Sequence, residues 1–103
     1  LLQQSILFAK SIPSRVIVLS IPDWGMTPFN TERPSDVVSA EIDQYNAINK
    51  KITQQSGCHY IDITTSTREH ATDTSYLAPD LLHYSEKEYS LWATKIVATI
   101  LNT

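Results

Sequence analysis

The sequence predicts an α/β fold in which parallel strands carry helices on both faces. Three observations predict it. Helical and strand patterns alternate along the chain in the order α-β-α-β-α. The run Arg15-Val-Ile-Val-Leu-Ser20 is continuously apolar and β-branched, the pattern of a strand buried on both faces. A long amphipathic helix separates the two strand patterns, so the connection is a right-handed crossover and the strands are parallel.

Each element has its own justification. Leu1 to Lys10 reads as helix, with Leu2, Ile6 and Ala9 on one face. Pro13 punctuates the break from Ser11 to Ser14, and the first strand follows. Ile21 to Pro34 is a loop, broken by Pro22, Gly25, Pro28 and Pro34. The next helix is predicted from about Asp36 to Gln55, with Ser35 as N-cap, Asp36 at the positive end of the dipole and Gly57 as the stop. Its apolar stripe is Val38, Ile42, Tyr45, Ile48 (or Asn49) and Ile52. Cys58 to Ile63 is the second strand. Thr64 to Tyr84 is polar, and a stretch of that length is either a functional loop or holds a short helix. Ser85 and Glu88 form a capping box for the last helix, whose stripe is Tyr89, Trp92, Ala93, Ile96 and Ile100.

Composition bounds the function. The 103 residues (11.6 kDa) allow one domain, and 42% hydrophobic with 18% charged residues is a globular balance. A net charge of −3 argues against a nucleic-acid or anionic-membrane surface. No apolar run approaches the roughly 18 residues of a membrane span. Leu1 to Ile12 lack the basic start and small-residue cleavage site of a signal peptide. Cys58 is the only cysteine, which rules out an internal disulfide and fits a reducing, cytoplasmic compartment. The chain does not begin with Met, opens inside a helix and has only two glycines, so it reads as part of a longer domain. Two strands are too few for a parallel sheet, and a further strand is expected from preceding sequence or a partner chain.

Ligands of open α/β sheets bind beyond the carboxyl ends of the strands. Two loops leave those ends, Ile21 to Pro34 and Thr64 to Tyr84. The second holds Ala78-Pro-Asp-Leu-Leu-His-Tyr84. Its Asp80 and His83 are spaced so that the carboxylate can accept from His Nδ1–H and leave Nε2 to take a proton from a nucleophile. Asp-x-x-His by itself also describes an ordinary surface turn.

Three segments together are more specific. Val16-Ile-Val-Leu-Ser-Ile-Pro-Asp-Trp-Gly-Met-Thr-Pro-Phe29 resembles the late strand and active-site loop of bacterial GDSL esterases. Tyr60-Ile-Asp-Ile-Thr64 resembles their last strand. Leu77-Ala-Pro-Asp-Leu-Leu-His83, followed by Tyr89 and Trp92, resembles the block bearing the catalytic Asp and His. The order and spacing match from Val16 to Leu101, so the chain is similar to the C-terminal half of an SGNH hydrolase, the GDSL lipase/esterase family. The resemblance implies a three-layer α/β/α, flavodoxin-like fold of five parallel strands, of which residues 1–103 supply the last two. It implies Ser–His–Asp ester hydrolysis with no metal or organic cofactor, in which Asp80 orients His83 and His83 is the general base. The family's Gly-Asp-Ser nucleophile motif and its oxyanion-hole Gly and Asn have no counterpart here. Leu81 and Tyr84 stand where many members have Gly and Pro.

The implied partners are a small ester and either the N-terminal half of the domain or a second copy of the chain. Trp24, Met26 and Leu82 are the expected substrate-binding residues, with Phe29 beside them on the same loop. Ser20 ends a strand on the same side and reads as a strand-end hydroxyl rather than a nucleophile. Asp62 reads as structural, and Arg68 as a surface ion pair or an anion contact. Cys58, His59, His70 and His83 match no metal-ligand spacing. The competing reading is a non-catalytic α/β module that associates through its sheet edge.

Overall fold

The computed structural model describes residues 1–102. Among these described residues, four α-helices and two strands follow one another: α1 Leu2–Phe8, β1 Ile17–Leu19, α2 Ser35–Gln55, β2 His59–Ile61, α3 Thr64–Glu69 and α4 Glu86–Leu101. The strands are parallel, with Ile17, Val18 and Leu19 opposite His59, Tyr60 and Ile61. Helix α2 makes the crossover between them, as the alternation predicts.

The two long helices lie on opposite faces of this ribbon. The Tyr60 hydroxyl reaches the Asn46 carbonyl on α2 at 3.4 Å. Its neighbour His59 borders Thr99 of α4, and strand side chains alternate between faces. Lys95 of α4 donates to the Asp62 carbonyl at 2.9 Å, just past β2. The architecture is therefore a small α/β unit with two parallel strands between helices. Its core is Val16, Val38, Ile42, Cys58, Ile61, Ile63, Ala71 and Leu77.

Local rules account for the element ends. Gly57 takes φ +78°, and the backbone N–H groups of Gly57 and Cys58 close α2 on Gln54 and Thr53, both at 3.1 Å. In α1 the inward residues are Leu2, Ile6 and Ala9, the predicted face, but none is fully buried.

Several expectations are corrected. Helix α2 begins at Ser35 itself with Pro34 as its N-cap, so Ser35 caps nothing. The Ser85–Glu88 capping box does not form. The Ser85 hydroxyl instead donates to the Ser75 carbonyl at 2.7 Å. Glu88 is fully buried and accepts from the Trp92 indole at 3.1 Å. The polar stretch from Thr64, by contrast, does hold a short helix, α3, as one of its two readings had it, and a single 3₁₀ turn, Thr74–Tyr76. The buried side of α2 is Val38, Ile42 and Thr53, while Tyr45, Ile48 and Ile52 from the predicted stripe stand exposed. Tyr89 and Ile100 of α4 are likewise exposed.

Candidate active site

Both loops identified from the sequence lie beyond the carboxyl ends of β1 and β2. The Asp80–His83 loop is shaped mainly by its own backbone. Leu77 and Tyr84 form an antiparallel bridge, and the Ala78 N–H donates to the His83 carbonyl at 2.9 Å. Inside this closed turn the Leu81 N–H returns to the Ala78 carbonyl at 2.9 Å. Leu81 adopts φ +61°, in the left-handed region that costs a side-chain-bearing residue roughly 1–2 kcal/mol. The tight turn thus takes the conformation glycine would favour, without a glycine.

The turn aims three N–H groups at one carboxylate. Asp80 Oδ1 accepts from the backbone of Leu82 and of His83, each at 3.0 Å. Its Oδ2 lies 2.5 Å from His83 Nδ1. The His83 imidazole and these two backbone donors hold the Asp80 carboxyl down at about 2, below its ordinary 3.8. An ionised Asp80 accepts from Nδ1–H, and the second ring nitrogen, Nε2, remains free to exchange protons. Both side chains are accessible, His83 at 70% and Asp80 at 47%.

His83 lines a cleft of about 480 Å³. Leu82 and Tyr84 flank it on the same loop, and Ile21, Pro22, Trp24 and Phe29 supply the opposite wall. Of the expected substrate-binding residues, Trp24 and Leu82 are therefore brought together with His83. Met26 is not among the lining residues, and Phe29 takes the place expected of it. Burial and the nearby Glu88 charge push the Tyr84 phenol up to about 12, so it stays protonated at neutral pH.

The Trp24 wall is held from beneath by groups far apart in sequence. Asp23 is wholly buried and accepts from Gly25 N–H at 3.1 Å, the Ser39 hydroxyl at 2.5 Å and Arg68 Nε at 2.8 Å. Its own N–H donates to Thr67 Oγ1 at 3.1 Å. Arg68 also reaches Asp43 at 2.8 Å. Burial would lower the Arg68 guanidinium, but its bonds to Asp23 and Asp43 outweigh that and raise it. Arg68 thus forms ion pairs, as one of its sequence readings has it, one at the surface with Asp43 and one with the buried Asp23. Gly25 lets this loop touch α2, since a Cβ there would meet Val38 at 2.5 Å.

Ser20 is a structural hydroxyl. It is buried, accepts from Ile63 N–H at 2.8 Å and Thr64 N–H at 3.0 Å, and meets Thr64 Oγ1 at 2.7 Å. Asp62 holds the start of α3 through Thr64 N–H at 2.8 Å and Thr65 Oγ1 at 2.6 Å. Burial raises its carboxyl, and these donors outweigh it, leaving the group below its ordinary value.

The buried Glu88 and Asp23 were not singled out by sequence reasoning as buried charges. Glu88 carried only a helix-end pattern. Asp23 had a weak signal, an acid between Pro22 and Trp24 in an apolar loop. Near Glu88 Oε2, His70 Nδ1 lies at 3.3 Å without hydrogen-bond alignment, and the His70 ring stacks on Tyr76 at 3.8 Å. Among the described residues no three His, Cys, Asp or Glu side chains are grouped to hold a metal ion, and no helix is long and apolar enough to cross a membrane. Comparison with protein-family models, curated proteins and solved structures finds no match, so the functional reading rests on this geometry and the sequence pattern.

Proposed function

We propose that the chain supplies the Asp–His half of a Ser–His–Asp ester hydrolase of the SGNH type. The observation that carries this reading is the 2.5 Å contact from Asp80 Oδ2 to His83 Nδ1, made by a histidine that lines an apolar cleft. In this reading a serine hydroxyl attacks the ester carbonyl while His83 Nε2 takes its proton. The imidazolium is stabilised by Asp80 and then protonates the departing alcohol. Water attacks the acyl-serine by the same proton path. The serine and the oxyanion donors come from an N-terminal portion of the domain, completing a flavodoxin-like sheet beside β1. The parallel strand pair and the helices on its two faces support that architecture. Among the described residues no serine lines the cleft, and Ser20 is committed to the start of α3.

The test is hydrolysis of p-nitrophenyl acetate by the protein assembled with its nucleophile-bearing segment. His83→Ala is expected to lower kcat at least about a thousandfold, because nucleophile and base act as a unit. Wild-type turnover in that variant would overturn the assignment.

The second reading is a non-catalytic module that pairs through its sheet edge. The observation favouring it is that β1 pairs only with β2 among the described residues, leaving one edge of an apolar strand open. A stable complex with no hydrolysis of any ester would select it.

A further inference from the structure

We propose that the cleft beside His83 takes an uncharged apolar ester group, a short aliphatic chain or an aryl ring, and excludes sugars and charged headgroups. The inference rests on the ester-hydrolase reading for the bond that reacts, but the binding it describes needs no turnover. The walls carry it. Trp24 and Phe29 face the cleft from one loop, Leu82 and Tyr84 from the other, and among the described residues the titratable side chains lining it are His83 and the Tyr84 phenol. Among the described residues, no Lys, Arg, Asp or Glu lines it.

A phosphate or sulfate group needs cations or an array of donors, and this cleft has neither. A sugar needs several convergent donors and acceptors, because each hydroxyl removed from water unpaired costs free energy. Asp80, beside His83, is held by that imidazole and by two backbone N–H groups, and the polar side chains Asn30 and Arg33, which border the Trp24–Phe29 wall, are engaged elsewhere. The Asn30 amide donates to the Gly25 and Arg33 carbonyls, both at 2.8 Å, and the Arg33 guanidinium pairs with Glu41 at 2.8 Å. An apolar group needs only buried area, which two large aromatic rings and a leucine provide. The volume of about 480 Å³ is in the range of small-molecule sites.

The experiment follows the Trp24 indole and Leu82 amide signals in proton–nitrogen correlation spectra of the protein. The probes are methyl hexanoate, an acetylated methyl glucoside, and dihexanoylphosphatidylcholine kept below its micelle threshold. Methyl hexanoate is expected to shift both signals saturably and to bind at least about tenfold tighter than the other two. Trp24→Ala should weaken its binding about tenfold. Phe29→Ala removes a ring that is more than half exposed, so it tests the same wall with little effect on folding. Equal or tighter binding of the glucoside or the phosphocholine would overturn the proposal. So would a lack of saturable shifts with methyl hexanoate. Turnover of p-nitrophenyl acetate by the protein assembled with its nucleophile-bearing segment separates the two readings. Selective hexanoate binding with turnover supports both, and selective binding without turnover removes the hydrolase reading alone. Unselective binding removes the cleft proposal alone.

Discussion

Leu81 isolates the contribution of one backbone dihedral. Its φ of +61° belongs to a region that β-branched residues hardly enter. Leu81→Ile keeps the apolar volume and changes the branching, so it tests the backbone rather than the core. It should destabilise the protein by about 1 kcal/mol and lower Tm by several degrees in a thermal melt. Leu81→Gly relieves the strain but removes a half-buried side chain, and the two effects nearly cancel. Beside it, Asp80 makes a prediction with a definite sign. Its carboxyl titrates near 2 in the folded chain against an ordinary 3.8. The Asp80 carboxylate that holds His83 is therefore fully ionised above pH 3.8, and the stability it contributes is lost as pH falls through about 2. The Asp80 carboxyl carbon shift should report that midpoint, and His83→Ala should move it back up toward 3.8. A midpoint that stays near 2 in the variant would assign the depression to the backbone donors instead.

At the scale of elements, the buried Asp23–Arg68 pair joins the Trp24 loop to α3. Removing one partner of a buried pair strands the other's charge, which costs about 3 kcal/mol or more. Arg68→Met should show that loss as a lower denaturant midpoint. Arg33→Met, breaking an exposed pair with Glu41 in which both side chains are 47% accessible, should cost less than about 1 kcal/mol. Equal costs would refute a buried role for Asp23. This pair also shows what the sequence could reveal. Both strands, the long helices and the Asp80–His83 turn rest on periodicity or short spacing, and they were legible. The Asp23–Arg68 bond spans 45 residues, and no local pattern announces it. Helix α3 was hidden for a related reason. Thr-Thr-Ser-Thr is a poor helix-forming run, and its start depends on Ser20 from the end of β1 and on Asp62. Glu88 was misassigned because a helix-start glutamate fits a capping box, whereas it runs along α4 to accept from Trp92, four residues on.

Across the whole molecule, the surface is larger than the mass requires. A folded chain of 11.6 kDa exposes about 5,800 Å² on the usual scaling, and this one exposes 6689 Å². The excess, on the order of 850 Å², matches one side of a standard protein interface. The radius of gyration, 14.9 Å, likewise exceeds the roughly 13 Å typical of this length. The extra area is apolar in places that a partner could cover. On α2, Val37, Tyr45, Ile48 and Ile52 extend the buried stripe of Val38 and Ile42 around one flank, so only half of a broad apolar arc is packed. Strand β1 has the sequence of an inner strand, yet its side chains are only half-buried. These features predict association. The native mass should exceed 11.6 kDa at micromolar concentration, and a single cooperative unfolding transition should belong to the associated species. Charged substitutions at Ile48 and Ile52, both exposed, should lower the associated fraction without disturbing the core. A monodisperse 11.6 kDa species that unfolds cooperatively would show instead that two strands and this core suffice, and that the open arc needs no partner.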